Sequence, residues 1–354
     1  MEKINKLQTF LKSSHEAILI HSVENRRFFT GFASSDGYLV VTTDEAVLFA
    51  DSRYIEAAQK NSRCPARLVT RVTTEVKDFI KEKHILKIYT ERARLSVSDA
   101  DFFKTAFLPC RATPSKRLEK KIEEIRMVKS SFETENIKKA QKIAEDAFEN
   151  VLKFIKPGVT EKEIALQLDF YMLSHGAEAL SFETIAVTGK KTSMPHGVPD
   201  DTVVKNGDFI TMDFGAVYNG YHSDMTRTVA VGEASAEQRK IYEIVLEAQK
   251  KALESLKAGV SGKDADAVAR DLITAAGYGE YFGHGTGHGV GVEIHELPNL
   301  SGRSDNILQT GNVVTVEPGI YIPGKFGVRI EDMAVITENG YENLTNTPKD
   351  LIIL

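Results

Sequence analysis

DFITMDFGAVYNGYHSDMTRTVAVG, residues 208–232, reads as a β-hairpin: two runs rich in β-branched and aromatic residues meet at Asn219-Gly220, a pair suited to a tight antiparallel turn. If those two residues form the turn, Asp213 opposes Thr226, and Asp224 lies two residues along that strand on the same face. Diagonal neighbours in a hairpin sit ~7–8 Å apart, so the two carboxylates share one patch of space and repel. A cation between them answers the repulsion most simply. The competing arrangement is a solvated face on which both acids meet water.

The rest of the chain bears on that choice. Lys156-Pro-Gly-Val-Thr160 and Lys257-Ala-Gly-Val-Ser261 are alike and 101 residues apart (257 − 156). Each is preceded by a long stretch of helical spacing: one from Phe132 to Lys156, the other over residues 235–257. Each also opens a further helix, the first through the capping box Thr160-x-x-Glu163. Each half ends in a β-rich pair of runs carrying two acids. These are Asp213 and Asp224 in the first half, Glu317 and Glu331 in the second, at offsets of 104 (317 − 213) and 107 (331 − 224). The pattern implies an internal duplication in which two helix–helix–hairpin halves meet, each contributing two carboxylates.

Between the hairpins stands GHGTGHGVG, residues 283–291. So many glycines weaken regular structure and mark backbone that turns sharply or approaches something closely. His284 and His288 are held in it, with His196 and His295 in Gly/Pro-marked stretches nearby. A lone histidine there is more often an ordinary hydrogen-bonded residue; beside four converging carboxylates, ligation by one of them is expected. Asp213, Asp224, His288, Glu317 and Glu331 then form an oxygen-rich set with one imidazole. Two divalent cations would neutralise four buried negative charges, whereas one would leave an excess. Such donors suit Mn²⁺ foremost, with Co²⁺ or Zn²⁺ as alternatives, and paired ions point to metal-assisted hydrolysis.

Residues 1–125 form a separate region in which short apolar runs (17–20, 38–41, 46–49, 85–89) alternate with helical spacing (52–60, 74–81), the grammar of a small α/β domain. Asp51 in Asp51-Ser-Arg-Tyr54 is expected to cap a helix rather than act in chemistry. A charged helical connector, residues 116–126, leads into the second domain, 126–354.

At 354 residues and a net charge of −5, with no lysine or arginine run, the chain has no nucleic-acid footprint. No apolar stretch approaches the ~18 residues of a membrane span, and the N-terminus lacks the pattern of a signal peptide. Two cysteines, Cys64 and Cys110, argue against a disulfide framework and fit a cytoplasmic protein.

Seven blocks occur in order: PHG at 195–197, DFG at 213–215, DMTRT at 224–228, HGTGHGVG at 284–291, HE at 295–296, EPGIY at 317–321 and GVRIED at 327–332. Together they resemble the creatinase/prolidase/methionine-aminopeptidase family of metallopeptidases. NRRFFTGF at 25–32 and DSRY at 51–54 resemble that family's N-terminal domain. The resemblance implies an α/β N-terminal domain followed by an α+β "pita-bread" catalytic domain with an internal pseudo-twofold duplication. It implies that Asp213, Asp224, His288, Glu317 and Glu331 hold two metal ions, with Asp224 and Glu331 bridging them. Glu317 is matched to the proton shuttle, and His196 and His295 to the histidines that steady substrate and intermediate. His284, Arg329 and Tyr321 are matched to residues beside the site. The Xaa-Pro aminopeptidase and Xaa-Pro dipeptidase (prolidase) branch is implied, acting on proline-containing peptides, commonly as a homodimer. The sequence leans to the aminopeptidase, because it shows no extra basic residue dedicated to closing the pocket behind proline. The dipeptidase is the alternative, and a silent pita-bread binding module or a creatinase-like enzyme without metal the remote ones.

Overall fold

The computed structural model describes residues 2–354. The chain divides between Arg126 and Met127 into two compact units.

The N-terminal unit is built on a six-stranded mixed sheet in the spatial order Ala66–Leu68, Ala46–Ala50, Tyr38–Val41, Glu16–Ile20, Lys87–Thr90 and Arg111–Pro114. Its strands read as unbroken apolar runs because both faces are covered: Ala17, Ile18, Leu19, Val47, Leu48 and Phe49 are all buried. One expectation fails here. Asp51 does not cap a helix: the helix begins at Ile55, and the Asp51 carboxylate instead accepts from the backbone N–H of Arg53 at 2.8 Å, holding the turn that precedes it.

The C-terminal unit has the two-halved α+β form that the spacing implied. In the first half, helices Ser131–Val151 and Glu161–Ser174 precede strands Phe209–Phe214 and Met225–Ala230. In the second, helices Ala236–Ser255 and Gly262–Ala275 precede strands Val313–Val316 and Asp332–Ile336. Side chains at the helix starts satisfy backbone donors: Ser130 with Glu133, Thr160 with Glu163, and Ser235 with Gln238 make reciprocal capping boxes, while Ser261 accepts from the N–H of Asp264. The first helix ends at Val151 rather than Lys156. The turn that follows keeps the apolar spacing, and Ile155 is buried like the helical residues before it.

The hairpin register follows from its turn. Asn219 and Gly220 both have positive φ, 48° and 76°, as a type I′ turn requires. Asp213 pairs with Thr226, as the sequence placed it. In the second half Val316 pairs with Asp332 and Gly319 with Arg329, which sets Glu317 opposite Glu331 at the break between two strand pairs. The hairpins are stitched together by Thr228 Oγ1 donating to the Arg329 carbonyl (3.0 Å) and by the Glu331 N–H donating to the Thr226 carbonyl (3.1 Å). Each half packs its own apolar cluster, one around Phe148, Met212 and Phe214, the other around Val245, Val314 and Val328. The acids lie where the halves meet.

Candidate active site

Asp213 is the next-to-last residue of its strand and Asp224 immediately precedes the strand that pairs with it. In the second hairpin Glu317 directly follows one strand and Glu331 directly precedes the strand that pairs with it, and His288 sits in the middle of strand Gly287–Gly289. The structure brings all five together around one cavity of about 650 Å³. His288 Nε2 lies 3.6 Å from Asp224 Oδ2 and 3.6 Å from Glu317 Oε1. Donor atoms of Asp224, His288 and Glu331 all fall within 4.8 Å of one another.

Electrostatics set this cluster apart from an ordinary polar patch. Burial, reinforced by Glu331, Asp213 and Glu317, holds the Asp224 carboxyl well above the usual carboxylate range. Burial does the same to Glu331, with Glu317 and Asp213 adding to it. Glu317 is pushed up to about 8, chiefly by burial, with Arg329 opposing and Asp213 assisting. Asp213 Oδ1 and Glu331 Oε1 are buried with no hydrogen-bond partner. His288 Nδ1 meets the Gly289 carbonyl at 3.1 Å, which must be a donation; Nε2 is therefore a lone pair aimed at the acids. Burial keeps this imidazole neutral, its pKa lowered to about 4. Orphaned carboxylate oxygens facing a neutral imidazole lone pair are what a divalent cation needs, and the donor set fits one.

A scaffold of hydrogen bonds holds the acids. Thr226 Oγ1 donates to Glu331 Oε2 at 2.7 Å and in turn accepts from Arg329 Nε at 3.0 Å. Arg329 Nη2 pairs with Asp213 Oδ2 at 2.6 Å, while Nη1 reaches Tyr321 Oη (2.8 Å) and the Pro195 carbonyl (3.3 Å). Four of the five N–H groups of Arg329 are thus committed to the protein. This arginine lines the cavity but is pinned as a brace for Asp213. Tyr321, expected beside the site, does not line the cavity itself but lies behind His284 and Arg329, which do. His284 Nδ1 donates to the Gly285 carbonyl (2.8 Å), so Nε2 must accept the Tyr321 hydroxyl proton (2.9 Å). Burial lowers the pKa of His284 to about 4 and raises that of Tyr321 to about 12, so both stay neutral.

His196 and His295 are exposed on the cavity wall, and the His295 ring stands edge-on to His288 with centroids 4.4 Å apart. Phe182, Ile185, Val198 and Ile294 supply apolar wall. The glycine-rich segment is clamped from helix Gly262–Ala275. Buried Asp266 accepts from the Thr286 N–H (2.9 Å), and Arg270, paired with Asp266, donates to the His284 carbonyl (2.7 Å). Gly287 has no room for a Cβ against the Thr315 backbone, hence a glycine there. Sequence reading missed Thr226, Asp266 and Arg270. For Thr226 the strand alternation that places it on the face of Asp224 was an available signal.

Known proteins resemble this chain over nearly its whole length. The family model of metallopeptidase family M24 matches residues 135–338, and that of the creatinase/prolidase N-terminal domain matches residues 3–128. An Xaa-Pro dipeptidase of Pyrococcus furiosus is 39% identical over 353 residues, spanning 99% of both chains. Among solved structures, an Xaa-Pro dipeptidase from Bacillus anthracis superposes with a TM-score of 0.96 at 43% identity, covering 100% of this chain and 99% of that one. An X-Pro aminopeptidase from Thermotoga maritima gives 0.92 at 39% identity, covering 99% and 100%.

Proposed function

The chain belongs to metallopeptidase family M24, and from that premise we propose that it hydrolyses the bond preceding proline, with Xaa-Pro dipeptides as preferred substrates. The observation that carries this reading is the likeness, over 99% of both chains, to a dipeptidase, in a protein whose five donors converge on one cavity. It reverses the leaning drawn from the sequence towards an aminopeptidase.

Two divalent cations, Mn²⁺ foremost, held by Asp213, Asp224, His288, Glu317 and Glu331, would polarise the scissile carbonyl and acidify the attacking water. The protein's own side chains do the rest. Glu317 takes a proton from the water and delivers it to the departing prolyl nitrogen, which as a tertiary amide carries no proton of its own. His295 and His196, exposed on the wall, donate to the carbonyl oxygen as charge develops on it. Apolar Phe182, Ile185, Val198 and Ile294 receive the prolyl ring and exclude water. Arg329 keeps Asp213 in place.

A second reading, the Xaa-Pro aminopeptidase, is favoured by one observation. Arg329 is the sole lysine or arginine among the residues lining the cavity, and four of its five donors and its charge are already engaged within the protein, so no cation there is set aside for a prolyl carboxylate. Assaying the Mn²⁺-loaded protein against Ala-Pro and Ala-Pro-Ala separates the two. Rapid cleavage of Ala-Pro with Ala-Pro-Ala untouched is expected; the reverse preference makes the protein an aminopeptidase, and cleavage of neither sinks both readings.

A further inference from the structure

Lys129 is a buried lysine outside the cluster of acids, with its side chain 1% exposed, and its ammonium lies 2.7 Å from Glu296 Oε1, itself only 7% exposed. Neither residue lines the cavity. Their place in the fold is specific. Glu296 follows His295 directly and pairs through its backbone with Gly289, the residue after His288. Its carboxylate packs on Gly291, where any Cβ would collide with it. The Gly291 carbonyl accepts from the His222 N–H at 2.9 Å, two residues before Asp224. From the other side, the Lys129 N–H donates to the Gly311 carbonyl (2.8 Å) and Asn312 Nδ2 donates to the Met127 carbonyl (3.0 Å), just before the strand that leads to Glu317. One buried charge pair therefore joins the turn carrying His295, and the strand carrying His288 that pairs with it, to the segment feeding Glu317.

A buried pair of this kind is poor value as stabilisation, because desolvating two ions offsets most of their attraction, so its retention points to orientation. We propose that Lys129 and Glu296 are positioning residues that fix the turn bearing His295 and, through the pairing of Glu296 with Gly289, the strand bearing His288. The ammonium anchors the Glu296 carboxylate, the carboxylate sets the 291–296 turn, and the turn and its paired strand aim the two imidazoles into the cavity. Without Lys129 the Glu296 carboxylate would lose its buried counter-ion one residue from His295, and the turn would lose that anchor.

The proposal rests on the peptidase reading for its kinetic readout and has a second that does not. With saturating Mn²⁺ and Ala-Pro as substrate, Lys129→Met and Glu296→Gln should each lower kcat about 10–100-fold, the usual cost of removing a partner that orients a ligand. KM should change far less. Lys129→Arg should recover most of the loss. The double variant K129M/E296Q, which strands no charge, should fold and turn over faster than either single variant but below the wild type. Without substrate, Mn²⁺ affinity followed by electron paramagnetic resonance should fall about tenfold in Lys129→Met. Wild-type kcat in Lys129→Met, or in the double variant should the single one not fold, overturns the proposal. So does a loss that follows only the folded fraction while kcat per folded molecule and Mn²⁺ affinity hold. If the wild type binds Mn²⁺ but cuts no Xaa-Pro peptide, the peptidase reading fails, and the Mn²⁺ affinities alone decide the role of the pair.

Discussion

Asp224 and Glu331 are the residues for which charge matters most, since both are buried and each lies against the other acids. Replacing either with its amide keeps size and removes one negative charge facing the cations. Asp224→Asn and Glu331→Gln should therefore each reduce bound metal and lower turnover by at least ~10²-fold, read by elemental analysis and the Ala-Pro assay. Near-normal turnover with unchanged metal content would falsify the assignment. At this scale the sequence was informative about chemistry and less so about posture. Asp213, Asp224, His288, Glu317 and Glu331 announced themselves as acids and an imidazole at repeating offsets. That Arg329 braces Asp213, and that Tyr321 stands behind His284, depends on side-chain directions that no spacing encodes. Lys129 and Glu296 are 167 positions apart (296 − 129), and no local pattern links such a pair.

The first hairpin and the helix starts of the C-terminal unit were legible because their causes are local, whereas the start expected at Asp51 was not. Asn219-Gly220 fixes a turn and with it the register of the strands, and Thr160-x-x-Glu163 fixes a helix start through two reciprocal hydrogen bonds. The end of the first long helix was not legible, since apolar spacing persists to Ile155 while the regular helix ends at Val151 and gives way to a turn of mixed i−3 and i−4 hydrogen bonds. A buried charge network likewise left no trace. Arg227, on strand Met225–Ala230, pairs with Asp332 at 2.8 Å and also donates to the Thr347 carbonyl (2.7 Å) and the Pro348 carbonyl (3.0 Å). Burial alone would raise the pKa of Asp332, but Arg227 and Lys349 outweigh it and the net shift is downward. A depressed carboxylate stabilises the fold above its unfolded pKa, ~3.9, and that contribution is lost as pH falls through the folded value. Arg227→Met reverses the sign: Asp332 becomes a buried charge with less opposition, so its folded pKa rises. The variant should lose about 3–5 kcal/mol at pH 7, and less at pH 4, where protonation relieves the stranded charge. Melting temperatures of both proteins from pH 4 to 7 test this; a deficit independent of pH would show that Asp332 is not the group responsible.

Over the whole C-terminal unit, the three strands of the first half's sheet have counterparts in the middle three strands of the second half's five-stranded sheet. Thr188 pairs with Ile210 in the first half, and Gly289 with Val314 in the second. The offsets are 101 (289 − 188) and 104 (314 − 210), the same two that relate the helix openings and the acids. The comparison also locates where the likeness stops. His288 precedes Gly289 by one, so its counterpart is Val187, a buried aliphatic residue with no lone pair to give. The near-symmetry of four carboxylates is thus broken by a single imidazole, and the two proposed cations are not interchangeable. One would sit among oxygens and nitrogen, the other among oxygens alone, and nitrogen donors raise the affinity of later first-row ions. Loading should be an ordered sequence rather than a simultaneous event. Titration of the metal-free protein with Co²⁺ should resolve two steps of unequal affinity, and His288→Val should abolish the tighter step while leaving the weaker one. A single step of two equivalent ions would mean that the twofold relation between the halves outweighs the one residue that breaks it. Duplication supplied a matched pair of seats, and one histidine gave them a rank.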